Sequence, residues 1–205
     1  MEIIQNPEAI EDKSMNIIEE EVADLECSDQ EKKIVKRVIH ATADFDFKDL
    51  IIISEDAVEA GLQALESGSN IVTDVNMLRA GINDRKLGSF GGELKCFISN
   101  DDVAKEAKEK GITRSMMSMR RAAKNPDNKI FAIGNAPTAL FELMKLIKAG
   151  KADPELIIGT PVGFVGAKES KAELEKMDLP FITVRGRKGG SSVAASITNA
   201  LLYMK

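Results

Sequence analysis

Leu156-Ile157-Ile158-Gly159-Thr160-Pro161-Val162-Gly163-Phe164-Val165-Gly166-Ala167-Lys168-Glu169-Ser170 holds the unit from which the fold is read. A short apolar strand comes first, a glycine-rich loop follows, and a helix runs from about residue 168 to 177. The unit recurs along the chain. Upstream, Leu50-Ile51-Ile52-Ile53 is a continuous apolar run of the kind buried on both faces of a sheet. A helix over 55–66 follows it, with Ser54 placed to cap it and Gly68 to end it. Further strands are expected over 70–75, 93–98 and 129–133. Downstream, Phe181-Ile182-Thr183-Val184 is a sixth strand and 191–203 a last helix. Short apolar strands alternating with helices of about ten residues or more mark a parallel sheet covered on both faces. The expected fold is therefore α/β: one doubly wound domain over 1–205 with a mainly parallel sheet. In such a sheet ligands bind beyond the carboxyl ends of the strands.

Ahead of the first strand the rhythm is helical. Ala9, Ile10, Ile17, Ile18 and Val22 space an acidic helix over 7–22. Ile34, Val35, Val38 and Ile39 line a second over 30–40, with Ser28 or Asp29 as its cap. This helical segment, about 6–40, is expected to pack on the core. Between the strands fall a helical turn over 77–81, a charged helix opened by Asp101 and stopped at Gly111, and a helix opened by Thr113. Asn125-Pro126-Asp127-Asn128 is a turn, and Pro137 starts a helix that Gly150 ends. Met116, Met117 and Met119 read as core or dimer packing. The charged, glycine-containing stretch over 84–92 discloses no role.

With 205 residues the chain can bury a core without staples. Its net charge of −5 argues against a general nucleic-acid or membrane-surface binder. No apolar stretch approaches the ~20 residues of a membrane span. Met1-Glu2-Ile3-Ile4-Gln5-Asn6-Pro7 lacks the basic start and apolar run of a secretory leader, so the cytoplasm is the expected location. Cys27 and Cys96 have neither CxxC spacing nor a neighbouring histidine. Both read as reduced packing residues, and no metal cluster is visible.

Three strand-to-helix loops stand out: Gly134-Asn135-Ala136-Pro137-Thr138, the 159–170 stretch quoted above, and Arg185-Gly186-Arg187-Lys188-Gly189-Gly190-Ser191-Ser192. Gly111-Ile112-Thr113-Arg114-Ser115 opens a helix nearby in the sequence. Each presents glycines, hydroxyls or backbone N–H groups where a helix begins, and helix starts favour anions. With Arg114, Arg185, Arg187 and Lys188 they suit a ligand carrying several separated carboxylates or phosphates. For any one loop, tight turns explain the glycines equally well. Gly159, Gly163 and Gly166 do not make the dinucleotide GxGxxG, and 186–192 does not make GxxxxGK[ST]. The missing fingerprints, with Tyr203 the single tyrosine and no tryptophan, count against a flavin or nucleotide protein. The one histidine, His40, falls near the end of the second helix, where the carbonyl ends attract a cation. A lone histidine is more often structural or surface than catalytic. The chemistry asks for one proton donor and a shaped, anion-lined cavity.

Taken together, Arg37-Val38-Ile39-His40-Ala41, Gly134-Asn135-Ala136-Pro137-Thr138-Ala139-Leu140, the 159–171 string and Arg185-Gly186-Arg187-Lys188-Gly189-Gly190-Ser191 resemble the motifs of the precorrin-8X methylmutase family, including its cobalt-precorrin-8 branch. The resemblance runs from about Asn6 to Leu202. It implies a flavodoxin-like three-layer fold, a homodimer, and an isomerase of corrinoid (vitamin B12) biosynthesis. The family's methyl group moves from C-11 to C-12, giving hydrogenobyrinic acid or, with cobalt, cobyrinic acid. No external cofactor is implied, because the methyl group stays in the molecule. His40 matches the family's catalytic histidine, the proton or hydrogen-bond donor to the macrocycle.

Ser14, Arg114 and Ser115 resemble positions facing substrate carboxylates; Ser14 reads equally as a solvated helix residue. The loops add Asn135, Ala136 and Thr138, then Val162, Gly163, Phe164 and Lys168, then Arg185, Gly186 and Arg187 as substrate-binding candidates. Arg185 and Arg187 could instead brace the loops or the dimer. A corrinoid carrier without catalysis is the competing reading; it would tolerate loss of His40.

Overall fold

The computed structural model describes residues 5–205, so the leader reading over Met1 to Ile4 lies outside the described residues. The Asn6 side chain accepts the Ala9 N–H and Pro7 takes the first helical position, which starts α1 (Pro7–Glu21). Ser28 and Glu31 form a reciprocal capping box at the head of α2 (Asp29–Thr42). That helix runs past its expected end and leaves through Ala43 in the left-handed region, φ 52°. A single turn, α3 (Phe47–Leu50), precedes β1 (Ile51–Ile53). The order continues α4 (Ala57–Glu66), β2 (Asn70–Thr73), α5 (Asn76–Gly81), α6 (Asp84–Gly88), β3 (Leu94–Cys96), α7 (Asp101–Glu109) and α8 (Arg114–Ala122). It ends β4 (Asn128–Ile133), α9 (Pro137–Lys148), β5 (Leu156–Gly159), α10 (Ala167–Leu174), β6 (Phe181–Val184) and α11 (Ser191–Leu202).

The strands form one sheet in the order β1-β6-β5-β4-β2-β3. Neighbours from β6 to β3 are parallel, and only β1 runs antiparallel, with Ile51 opposite Val184. Successive strand residues feed opposite faces, as the pleat requires. Ile130, Ala132, Leu156 and Ile158 join one apolar cluster; Phe131, Ile133 and Ile157 join another. On the first face α11 packs against α2, α4 and α5; on the second α9 packs against α8 and α10. This is the three-layer, doubly wound α/β fold that the alternation implied.

Several local expectations change. β1 is an edge strand and only half-buried, with Ile51 and Ile53 against one apolar cluster and Ile52 against the other, where full burial was expected. Ser54 does not cap α4: its hydroxyl accepts the Phe181 N–H at 2.8 Å and stitches β1 to β6. Cys27 is exposed in the bend before the Ser28 cap, where no packed face covers it; Cys96 is half-buried on β3. Met117 and Met119 are buried, as a packing role asks. The 84–92 stretch contains α6, buries Leu87, and clasps the end of α11. Asn83 Nδ2 donates to Tyr203 Oη at 2.5 Å and Lys86 Nζ to the Lys205 carbonyl at 2.9 Å. No helix among the described residues is long and apolar enough to cross a membrane.

Candidate functional site

Four parallel strands, β2, β4, β5 and β6, end at the same edge of the sheet. Because β1 is antiparallel, its first residue lies beside the last residue of β6. The segment entering β1, from the last turn of α2 through α3, is thereby led to that same edge. His40 sits exposed in this last turn, while Val38 and Ile39 before it are buried. The apolar side chains hold the helix and leave the imidazole to solvent.

Chain direction reverses between β2 and β4. From β2 the chain crosses to β3, and from β4 it crosses the other way to β5. A crevice at such a switch point is where this class of fold binds ligands. Here Asp74, fully buried just after β2, fills it. Its carboxylate accepts the N–H groups of Gly134, Asn135 and Ala136 at 3.1, 2.9 and 2.7 Å. Burial pushes the Asp74 carboxyl up from its ordinary range, against the opposing pull of those three bonds. The reading of these N–H groups as an anion site for a ligand is therefore corrected: the protein's own carboxylate occupies them.

What the loop into α9 still offers is side chains. Asn135 and Thr138 are exposed. Thr113, which caps α8 through the Met116 N–H, donates its hydroxyl to Thr138 Oγ1 at 3.3 Å. That contact brings exposed Arg114 and half-buried Ser115 beside the loop.

The next two loops are zipped together. Gly190 N–H donates to the Thr160 carbonyl at 2.8 Å and Gly163 N–H to the Arg187 carbonyl at 3.3 Å. Neither α10 nor α11 has a side-chain cap, so among the described residues their first-turn N–H groups have no such partner, unlike those held by Asp74. Lys168 is exposed in the first turn of α10, and Arg187 is exposed above the zipper. Val162 is exposed, and Phe164 and Val165 are each 89% exposed. Met77, at the start of α5 beyond β2, adds another bare apolar side chain. Apolar surface of this kind beside separated cations suits an apolar ligand that carries carboxylates.

Two bases near these loops bond other parts of the chain. Arg185 bonds Glu175 at the end of α10, at 3.2 Å from Nη2, a contact of the bracing kind. Lys171 is 1% exposed and donates from Nζ to the Lys188 carbonyl at 2.6 Å. Burial lowers its ammonium from 10.5 to about 8. Ser14 is half-buried, and its hydroxyl donates to the Ile10 carbonyl of its own helix. The next residue, Met15, shares a cleft with Arg37, one turn before His40.

Asp74 and Lys171 escaped the sequence reading, and Lys188 counted only as one cation among several. A carboxylate near the end of an expected strand and a lysine inside a helix look like solvated residues. Their partners lie 60 to 62 and 17 positions away. Hydrogen bonding to Asp44 Oδ2 at 2.5 Å and Asp46 Oδ2 at 2.6 Å raises the Lys188 ammonium and holds Asp44 below the usual carboxylate range.

Residues 9–204 match the precorrin-8X methylmutase (CbiC) family. A cobalt-precorrin-8 methylmutase of Priestia megaterium is 50% identical over 95% of this chain and 87% of its own. One from Salmonella typhimurium is 45% identical over 99% of this chain and 98% of its own. The crystal structure of a precorrin-8X methyl mutase from Thermus thermophilus superposes with a TM-score of 0.87 at 38% identity, covering 96% of this chain and 95% of that one. The sheet order, the carboxyl-edge loops and the whole-length match agree: the chain belongs to the precorrin-8X methylmutase family.

Proposed function

We propose that the protein isomerises precorrin-8X or cobalt-precorrin-8 by moving one methyl group from C-11 to C-12, with His40 as the proton or hydrogen-bond donor. The observation that carries this reading is the delivery of the single, exposed histidine to the sheet edge that bears the apolar side chains and cations. The macrocycle lies on the Val162 and Phe164 side chains. Arg114, Ser115, Asn135, Thr138, Lys168 and Arg187 meet its peripheral carboxylates, with Ser14 beside the α2 face. Ala136, Gly163 and Gly186 contribute backbone shape. His40 donates to the ring as the methyl group migrates, so the macrocycle accommodates the charge that develops. The migration breaks one C–C bond and forms another within one molecule, so no co-reactant enters and the mass is unchanged. The protein works as a cytoplasmic homodimer.

The test is anaerobic incubation with precorrin-8 and, separately, with its cobalt form, reading absorbance and product mass. A spectral change at constant mass is expected, from a sample whose light-scattering mass is that of two chains. His40→Ala is expected to lose about a hundred- to ten-thousandfold in turnover while still binding the ring. Ring binding by the wild type with no spectral change would leave a carrier instead.

A further inference from the structure

Lys188 joins parts of the molecule that the reaction needs in register. Its backbone is anchored to the loop after β5. The Lys188 carbonyl accepts from the buried Lys171 ammonium at 2.6 Å, and two residues on, Gly190 N–H donates to the Thr160 carbonyl. The side chain reaches the other way, across to the segment that follows His40. Nζ bonds Asp44 at 2.5 Å and Asp46 at 2.6 Å and lies 5.9 Å from the Phe47 ring centroid. Between His40 and Asp44 stands Ala43 in the left-handed region, bonded back to the Ile39 carbonyl. The last turn of α2 therefore has a stiff link to the grip point.

Stability does not explain this arrangement. The Lys188 side chain is 43% exposed and those of Asp44 and Asp46 are 31% and 70% exposed. Ion pairs that wet contribute little to folding. Holding two acidic side chains from one tight turn on one lysine does something else: it sets where α2 ends relative to the β5 and β6 loops. We infer that Lys188 is a positioning residue for His40, holding the donor over the ring through Asp44 and Asp46. This rests on the proposed function, and it adds a residue that reaches the donor only through others.

The experiment compares wild type, Lys188→Ala, Lys188→Arg, His40→Ala and the double variant His40→Ala/Lys188→Ala. It measures turnover, ring binding by absorbance titration, and the imidazole Cε1–H resonance, which is unique because the chain has one histidine. Lys188→Ala is expected to lower kcat about ten- to a hundredfold, the scale of a small misplacement, with ring binding unchanged. Lys188→Arg, which can still grip two carboxylates, recovers most of that loss. In the His40→Ala background removal of Lys188 changes residual turnover by less than about twofold, since coupled residues do not add. The imidazole signal moves in Lys188→Ala and not in Lys124→Ala at the opposite edge. Unchanged kcat, a loss that falls on ring binding, an equal further loss without His40, or an unmoved imidazole signal would each overturn the positioning role. Absence of turnover in the wild type would fail the proposed function itself, whatever the variants do.

Discussion

Asp74 shows how much one residue can decide. Three consecutive N–H groups converge on its carboxylate at the switch point of the sheet. Removing it leaves three buried or half-buried donors without a partner. Asp74→Ala is expected to destabilise folding by about 3 kcal/mol, from unmet donors and the small void. Asp74→Asn keeps the volume but turns an N–H₂ group toward at least one N–H donor. It should lose about 2 kcal/mol where its size alone predicts almost nothing. Urea midpoints at constant slope would check both; an Asn variant as stable as wild type would mean that the carboxylate does not hold the loop. His40 draws attention in the sequence because it stands inside a distinctive string and the chain has no other histidine. Asp74 was not, because what distinguishes it is a loop about 60 residues on that folds over it.

At the scale of elements, the capping signals were the most readable. Ser28, Thr113 and Pro137 each begin a helix as their chemistry allows. Signals failed where a residue's partner came from elsewhere, as Ser54 shows by bonding Phe181 and not its own helix. The loops after β5 and β6 depend on a close approach between them. A Cβ at Gly189 would lie 2.3 Å from the Thr160 carbonyl oxygen, and its φ is +148°. At Gly150, after α9, φ is +65° but a Cβ would meet nothing within 4 Å. Gly150→Ala should therefore cost about 1 kcal/mol, the price of the left-handed conformation alone. Gly189→Ala should cost about 2–3 kcal/mol and lower turnover, because it adds a steric clash that parts the loops. Thermal melts of the two variants side by side, with turnover, would show whether the approach matters; equal losses would say that it does not.

At the scale of the whole molecule, the sheet is sandwiched by two apolar clusters, and a charge has been left inside near one edge. Lys171 is almost wholly buried, and among the described residues no carboxylate pairs with it. Its proton is harder to hold in the folded chain, at about 8, than at the ordinary 10.5. Below about 8 both states carry the proton and the penalty is constant. Between about 8 and 10.5 the unfolded chain binds more protons, so folded stability rises with pH. Relative to Lys171→Met, which cannot titrate, the wild type should gain on the order of 3 kcal/mol across that window and then level off. Urea denaturation of both proteins from pH 7 to 10.5 would measure it. Parallel curves would mean that the amine is solvated or paired in solution.

The sequence by itself determined the α/β class, the single sheet, most helix starts and the family, and it singled out the one histidine. Each of these is written in short-range patterns: apolar runs, capping residues, and contiguous strings of unusual composition. Only the tertiary structure decided that β1 runs antiparallel at the edge and so leads His40 to the carboxyl ends of the strands. It also decided that Asp74 takes the N–H groups entering α9, that Arg185 bonds Glu175, and that Lys188 ties the loop after β6 to Asp44 and Asp46. A strand's direction and a polar group's partner depend on which distant segments are buried together, and hydrogen bonds and charges separated by up to 144 positions leave no local trace in the chain.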